Sequence, residues 1–305
     1  MACSQGALSR LYVEPGSSPY TFDTNSETYE FLSESLQKKG TIVHPNGIRG
    51  TRSQAKERAR LGPYTVGGSL LFNPDPAMLD LWLPRILGGT ESTDTFPVAE
   101  GLPSFAVLMD KVAQTFEYKD CYVSRATISG QANQFGGTPQ PMSMNVEIVG
   151  KSRATGTSVP NVSLSTASNT APYIFEDGVC TIGGTARQIM SFVLMIDNQL
   201  QVRFTNSLTA TDICPQGRSV YLRLWVPFSS STPITSLLDQ REAGAAVVLT
   251  FTNGNMSLSF SLTIVNFENV DPVVRGKQEI VLELGGFARM SGSTREIVTT
   301  SDSTA

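Results

Sequence analysis

Residues 247–264 read VVLTFTNGNMSLSFSLTI, and this stretch decides the fold class. From Met256 to Ile264 apolar and hydroxyl residues alternate: Met256, Leu258, Phe260, Leu262 and Ile264 against Ser257, Ser259, Ser261 and Thr263. Side chains of a strand point to opposite faces in turn, so a period of two predicts one oily face and one hydroxyl face. Upstream, Val247, Leu249 and Phe251 alternate with Val248, Thr250 and Thr252. Asn253-Gly254 between the runs readily takes the positive φ angles of a tight primed turn, so the stretch predicts a β-hairpin. Its hydroxyl face, Ser257, Ser259, Ser261 and Thr263, carries no charge over nine residues, where a freely solvated strand would show some Lys or Glu.

Working outward, the 305 residues suffice for one large β domain or two ordinary ones, and only 16% are charged. A formal charge of −4 argues against general nucleic-acid binding, which needs a basic excess to neutralise phosphates. No run is long enough for a membrane span, so no membrane insertion is expected. The start lacks the basic-then-apolar layout of a secretion signal, so synthesis and folding in the cytosol are expected. Cys3, Cys121, Cys180 and Cys214 have no CxxC spacing and predict free thiols.

Residues 1–45 read as an irregular N-terminal arm, with Tyr29, Leu32 and Leu36 suggesting a short helix over 26–37. A charge cluster follows: Arg49, Arg52, Lys56, Arg58 and Arg60, with Glu57 the one acid among them. Lying in Gly- and Ser-bearing sequence, it predicts an exposed loop, and as the basic element of an acidic chain a candidate contact to a neighbouring copy. Residues 64–72 predict a strand. After Asn73-Pro74-Asp75-Pro76, Met78 to Leu87 predict a short apolar helix, capped by Asp75 and stopped by Gly88-Gly89. Further strands are predicted at 105–109, 121–128, 142–149, 173–175, 179–182, 189–196, 200–204, 220–226 and 279–284, and a helical turn at 235–240. Residues 151–172 are Ser/Thr-rich with no apolar period and read as a linker or surface loop; the tail 291–305 reads as mobile.

The two sides of that linker share an order of strand, Pro, short helix, strand. Residues 68–72 match 221–226, residues 102–107 match 256–262, and residues 145–150 match 281–286. One reading is a duplicated β domain, 46–150 and 173–290; the other is one enlarged domain with insertions.

Sites for chemistry are scarce. His44, the one histidine, precedes Pro45, and no Gly-x-Ser-x-Gly elbow supplies a nucleophile for it to activate. Gly88-Gly89-Thr90 and Gly183-Gly184-Thr185 lack phosphate-loop spacing. Trp82 and Trp225 lie in apolar runs and read as core. We therefore expect no enzyme, no cofactor and no metal site.

The order of short motifs resembles the tail tube protein family of long-tailed (siphovirus-type) bacteriophages. Carrying the resemblance are residues 45–53 (PNGIRGTRS), Gly68-Ser69, Phe72-Asn73-Pro74 and residues 79–89 (LDLWLPRILGG). It continues through residues 175–178 (FEDG), Ile182-Gly183-Gly184, Ile196-Asp197-Asn198, Asn206-Ser207 and Pro272-Val273-Val274, spanning about 40–290. Segment 151–172 and the tail depart from it. The resemblance implies a β-sandwich or barrel with short flanking helices, assembled into rings of six copies, or three if the fold is duplicated. Stacked rings would form a virion tube that houses the tape-measure protein, meets tail terminator and tail-tip proteins, and passes double-stranded DNA without specific binding; within it Ser257, Ser259, Ser261 and Thr263 are a candidate lumen or interface face. A carbohydrate- or receptor-binding β-sandwich is the alternative; it needs an exposed aromatic and carboxylate cluster that the sequence does not show.

Overall fold

A computed structural model describes residues 5–45, 47–48, 50–133, 138–162, 170–228, 243–269, 271–274, 276–277 and 279–303. The first half holds β1 (Arg10–Pro15), β2 (Glu27–Thr28), β3 (Ser33–Glu34), β4 (Gln37–Val43), β5 (Arg60–Phe72), the helix α1 (Pro76–Leu87), β6 (Thr95–Phe96), β7 (Phe105–Asp110), β8 (Thr115–Gln131), β9 (Ser143–Gly150) and β10 (Ser152–Thr155). The second holds β11 (Gly178–Ile182), β12 (Thr185–Arg187), β13 (Ser191–Asp197), β14 (Leu200–Arg203), β15 (Asp212–Pro215), β16 (Ser219–Pro227), β17 (Ala245–Asn253), β18 (Met256–Asn269), β19 (Val281–Arg289) and β20 (Ile297–Asp302). The protein is mainly β, its described pairings antiparallel, with one short α-helix among the described residues.

The hairpin forms as its pattern requires. Gly254 sits at φ 64° in the turn, and Phe251 pairs with Leu258, Leu249 with Phe260 and Val247 with Leu262. Leu258, Phe260 and Leu262 are buried, but the alternation then slips: Val265 and Phe267 are buried and Ile264 is not. The cause is a bulge between the Ala245 and Val247 pairings, where β18 carries an extra residue. One added residue moves every later side chain to the other face and bends the strand. Residues 257–262 of β18 thus lie between β17 and β20, and its last residues pair with β19 instead.

Strand β8 does the same. Its first part pairs with β7 and β10 and its second with β9 and β13, with a bulge between the Phe105 and Val107 pairings. The likeness extends further. The pairings β1·β7, β4·β5, β5·β9, β7·β8, β8·β9 and β8·β10 recur as β11·β17, β13·β16, β16·β19, β17·β18, β18·β19 and β18·β20. Even the irregularity between β8 and β9, at Val123/Arg125, recurs between β18 and β19, at Phe267/Asn269. Three layers of pairing result: β4-β5-β9-β8-β13-β16-β19-β18 is shared by both halves, and each half adds its own second sheet. Buried residues of both halves form one continuous core.

Helix α1 carries its expected signals. Asp75 accepts from the Met78 N–H at 2.8 Å, Pro76 opens the helix, and Gly88 closes it at φ 91°. Trp82 is fully buried, its ring 5.4 Å from Phe72 and 5.8 Å from Phe105. Asp80 lies partly buried on this helix, and burial raises its pKa; nearby Ser303 and Ser301 lower it, and Glu91 and Asp94 raise it.

Several expectations are corrected. Residues 26–37 form β2, β3 and the first residue of β4, not a helix, because edge pairing outweighs three apolar residues at helical spacing. The lead-in is not irregular: Leu11, Tyr12 and Val13 are buried where β1 pairs with β7. The tail holds β20, with Ile297, Thr299 and Ser301 buried, and part of 151–172 is β10. Residues 173–175 contribute one bridge at Ile174 and then a 3-10 turn, Phe175–Asp177. Within the repeat, the counterpart of β7 is β17 rather than residues 256–262, which correspond to β8. The helical turn expected at 235–240 lies outside the described residues.

Burial of Asp80 fixes a pH prediction. A carboxyl whose pKa is raised by folding favours the folded state below its ordinary value near about 4 and opposes it once ionised. Asp80→Asn should therefore raise the thermal midpoint of the unassembled chain at neutral pH, with the gain vanishing at about pH 3.5 to 4. An equal gain at both pH values would show that ionisation is not the cause.

Candidate assembly interfaces

The basic loop joins β4 to β5. Arg52, Lys56, Arg58 and Arg60 are all exposed; Lys56 and Arg58 lie on one 3-10 turn and Arg60 opens β5. No described ion pair uses any of the four. Arg49 lies outside the described residues. Beside them His44, Pro45, Gly47 and Ile48 line a shallow groove, and Ile48 is fully exposed. The structure thus gathers these four cations on one hairpin end, with Glu57 on the same 3-10 turn but in no described ion pair with them.

The hydroxyl face of β18 belongs to the second half's own sheet. Ser257, Ser259 and Ser261 are half-buried between Thr252, Thr250 and Val248 of β17 and Asp302, Thr300 and Val298 of β20. Ser259 and Thr250 are hydrogen-bonded at 3.1 Å, and the Thr263 hydroxyl donates to the Arg295 carbonyl.

The two halves meet at a seam that sequence reading did not single out. Strand β13 pairs with the end of β8, from Ser191↔Gln131 to Asp197↔Arg125. Arg125 Nη2 lies 2.8 Å from Asp197 Oδ2 and its Nη1 3.7 Å from Glu147 Oε1. The side-chain amide of buried Asn198 donates to the carbonyls of Ile86 at 3.0 Å and Val123 at 3.1 Å. The loop between β13 and β16 then crosses the first half: the Tyr64 N–H donates to Leu208 O at 3.0 Å, and Lys151 Nζ lies 4.0 Å from Asp212. The motif Ile196-Asp197-Asn198 marked the place but not its role, since an Asp-Asn pair after a strand reads first as a turn.

Two edges of the shared sheet have no described partner. At one, every residue of β4 is exposed and its described pairing is with β5 alone. At the other, the described strand pairing of residues 264–269 of β18 is with β19 alone. Glu268, Asp271, Glu279 and Glu283 line an adjoining cleft with Tyr221, Arg223 and Trp225. Of the tryptophans read as core, Trp82 is fully buried while Trp225 is half-buried in this cleft.

Among the described residues, no group of three or more His, Cys, Asp or Glu is placed to hold a metal ion. Cys121 and Cys180 are buried free thiols, burial pushing Cys180 up to about 12, and Cys214 is a half-buried one; Cys3 lies outside the described residues. No helix among the described residues is long and apolar enough to cross a membrane.

The recurring antiparallel pairings thus leave two sheet edges with no described second strand partner. The family model described as "Phage tail tube protein" matches residues 7–288, and the chain belongs to that family: it is a structural component of a phage tail tube. A search of curated proteins finds no match.

The seam yields a prediction. Asn198→Ala leaves two buried carbonyls without their donor, and each such loss costs about 1–3 kcal/mol. Denaturant unfolding should show a loss of roughly 2 kcal/mol or more; a change within error would mean that other groups satisfy Ile86 and Val123.

Proposed function

We propose that this chain closes rings of three copies, that the rings stack into a hollow tube, and that the shared sheet faces the lumen. The internal repeat carries the reading. Two equivalent units, 46–150 and 173–290, joined through 151–172 and flanked by 1–45 and 291–305, let three chains supply the six positions that six single-unit subunits would fill. The recurring pairings extend each unit to its flanking strands, β1 and β4 in one and β20 in the other.

A channel for DNA must let phosphates pass. On the solvent face of the shared sheet, Arg125 is paired with Asp197 and Glu147, and Arg223 Nε lies 3.4 Å from Glu283 Oε1. Neutralised cations offer phosphates little grip, which supports passage of double-stranded DNA without binding. Such a lumen would also house the tape-measure protein, with terminator and tail-tip proteins closing the ends; no catalysis is part of this role. Placing the shared sheet at the lumen favours the interface reading for Ser257, Ser259, Ser261 and Thr263, because they lie on the other sheet.

Electron microscopy of the concentrated protein tests the reading: rings and tubes are expected, and a monomer at every concentration and salt would overturn it. Arg52→Glu with Arg58→Glu should abolish tube formation while leaving the circular dichroism of the chain unchanged, because the basic loop then meets a like-charged neighbour. Unchanged tubes would remove the loop from the contact. Ser259→Lys with Ser261→Lys should likewise slow assembly several-fold by light scattering if that face meets a neighbour; normal assembly would assign it to solvent.

A further inference from the structure

The seam inside the chain has a template's value. Strand β13 corresponds to β3 and β4 of the first half, and β8 corresponds to β18, by the recurring pairings and their shared bulges. Inside one chain β13 pairs with β8, yet the counterpart pairing, of β3 and β4 with the end of β18, is not among the chain's pairings. Among the described residues neither edge has a second strand partner. Resting on the ring reading above, we propose that they meet between copies: residues 34–37 of one chain pair antiparallel with residues 271–274 of the next, in the register of the internal seam.

That register is fixed residue by residue. Cys121 and Val265 occupy the same place beside the two bulges, opposite Phe105 and Ala245, which aligns Ser129 with Val273 and Thr127 with Asp271. Ile148 and Gly286 align through β9 and β19, Gly68 and Leu222 through β5 and β16, and so Leu36 with Leu194. The internal pairs Val193↔Ser129 and Met195↔Thr127 then translate to Ser35↔Val273 and Gln37↔Asp271 between copies.

Three further observations favour this occupant. First, the edges carry opposite charge: Lys38 and Lys39 on β4, with Glu34 of β3 already paired with Lys111 at 2.6 Å, against Glu268 and Asp271 on the other. In the translated register Lys39 is diagonal to Asp271 and Lys38 to Glu268, each pair on one face of the sheet, the distance at which opposite charges assist pairing. Second, apolar side chains stand in water on both edges: Leu32, Ile42 and Val43 on one, Val273 and Val274 on the other. Third, Pro272 falls opposite Leu36. Proline offers no N–H to the ladder, and Leu36 needs none, since its carbonyl accepts from the Tyr118 hydroxyl at 2.8 Å and its own N–H donates to Glu34 Oε2 at 2.8 Å, so this one position makes no ladder bond.

Hydrogen-bond phase selects the probe. The Asn198 N–H donates to Ser124 and the Ala132 N–H to Met190, so even-numbered residues of β8 make the bonded pairs at the internal seam. Ser35↔Val273 is therefore a non-bonded pair, with Cα atoms about 4.5 Å apart, within disulfide reach. Ser35→Cys and Val273→Cys chains are made separately, each shown to form tubes, mixed in equal amounts, assembled and oxidised. A covalent dimer is expected on a non-reducing gel, at least tenfold above a Ser35→Cys and Asp271→Cys mixture, whose Cα atoms would be about 7–8 Å apart. Equal yields, or no dimer from assembled tubes, would overturn the joint and leave the tube reading intact; failure of the unmodified protein to form tubes would instead remove the reading beneath. Hydrogen exchange on the unmodified protein needs no variant: segments 34–43 and 266–274 should slow together on assembly, and no slowing in either would overturn the joint.

Discussion

The architecture depends on two bulges. A regular strand keeps one face toward one layer throughout its length, so a strand that must serve two sheets has to change direction and face midway. In β8 and β18 an inserted residue does this, letting Tyr118 and Cys121 in one strand, and Leu262 and Val265 in the other, all enter the core despite their odd spacing. The same two strands link each half's own sheet to the sheet that both halves share. Without the bulges a single strand could not turn a buried face to both sheets, and the sandwich would lose its corner.

Because the halves repeat, contacts within the chain have counterparts, and the differences are informative. The loop after β13 packs across the first half, anchored by Asn198, Leu208 and Asp212. Its counterpart after β4 carries Arg52, Lys56 and Arg58, which take part in no described ion pair. An arrangement satisfied in one half and open in the other is expected when the open one is completed by a second molecule. Open strand edges are hazardous in a monomer and useful in a polymer.

Much of this was legible in the sequence. The central strands alternate cleanly, so Met144, Val146 and Ile148, or Leu258, Phe260 and Leu262, announce their buried face. Helix α1 was legible through Asp75, Pro76 and Gly88, whose local chemistry needs no tertiary context. The edges were not: β4 is exposed at every residue and therefore has no hydrophobic period to read, and Lys38-Lys39 in a strand speaks only once the edge is known. Strand β20 was hidden by Thr299 and Ser301, hydroxyls that are buried although their composition suggests a loose tail. The bulge was hidden because Ile264 continues the alternation in sequence while the backbone abandons it. The seam residues Arg125, Asp197 and Asn198 were invisible as a group because they meet only across halves.

Joining two units in one chain also changes how an assembly is populated. The β8·β13 contact forms between segments held at a fixed, high effective concentration by the intervening chain, so dilution cannot dissolve it. In a three-copy ring every second contact would be of this unimolecular kind, and its translational entropy is lost when the chain folds rather than when rings close. Only the alternate contacts would then respond to protein concentration, so growth would be limited by half the number of encounters that single-unit subunits need.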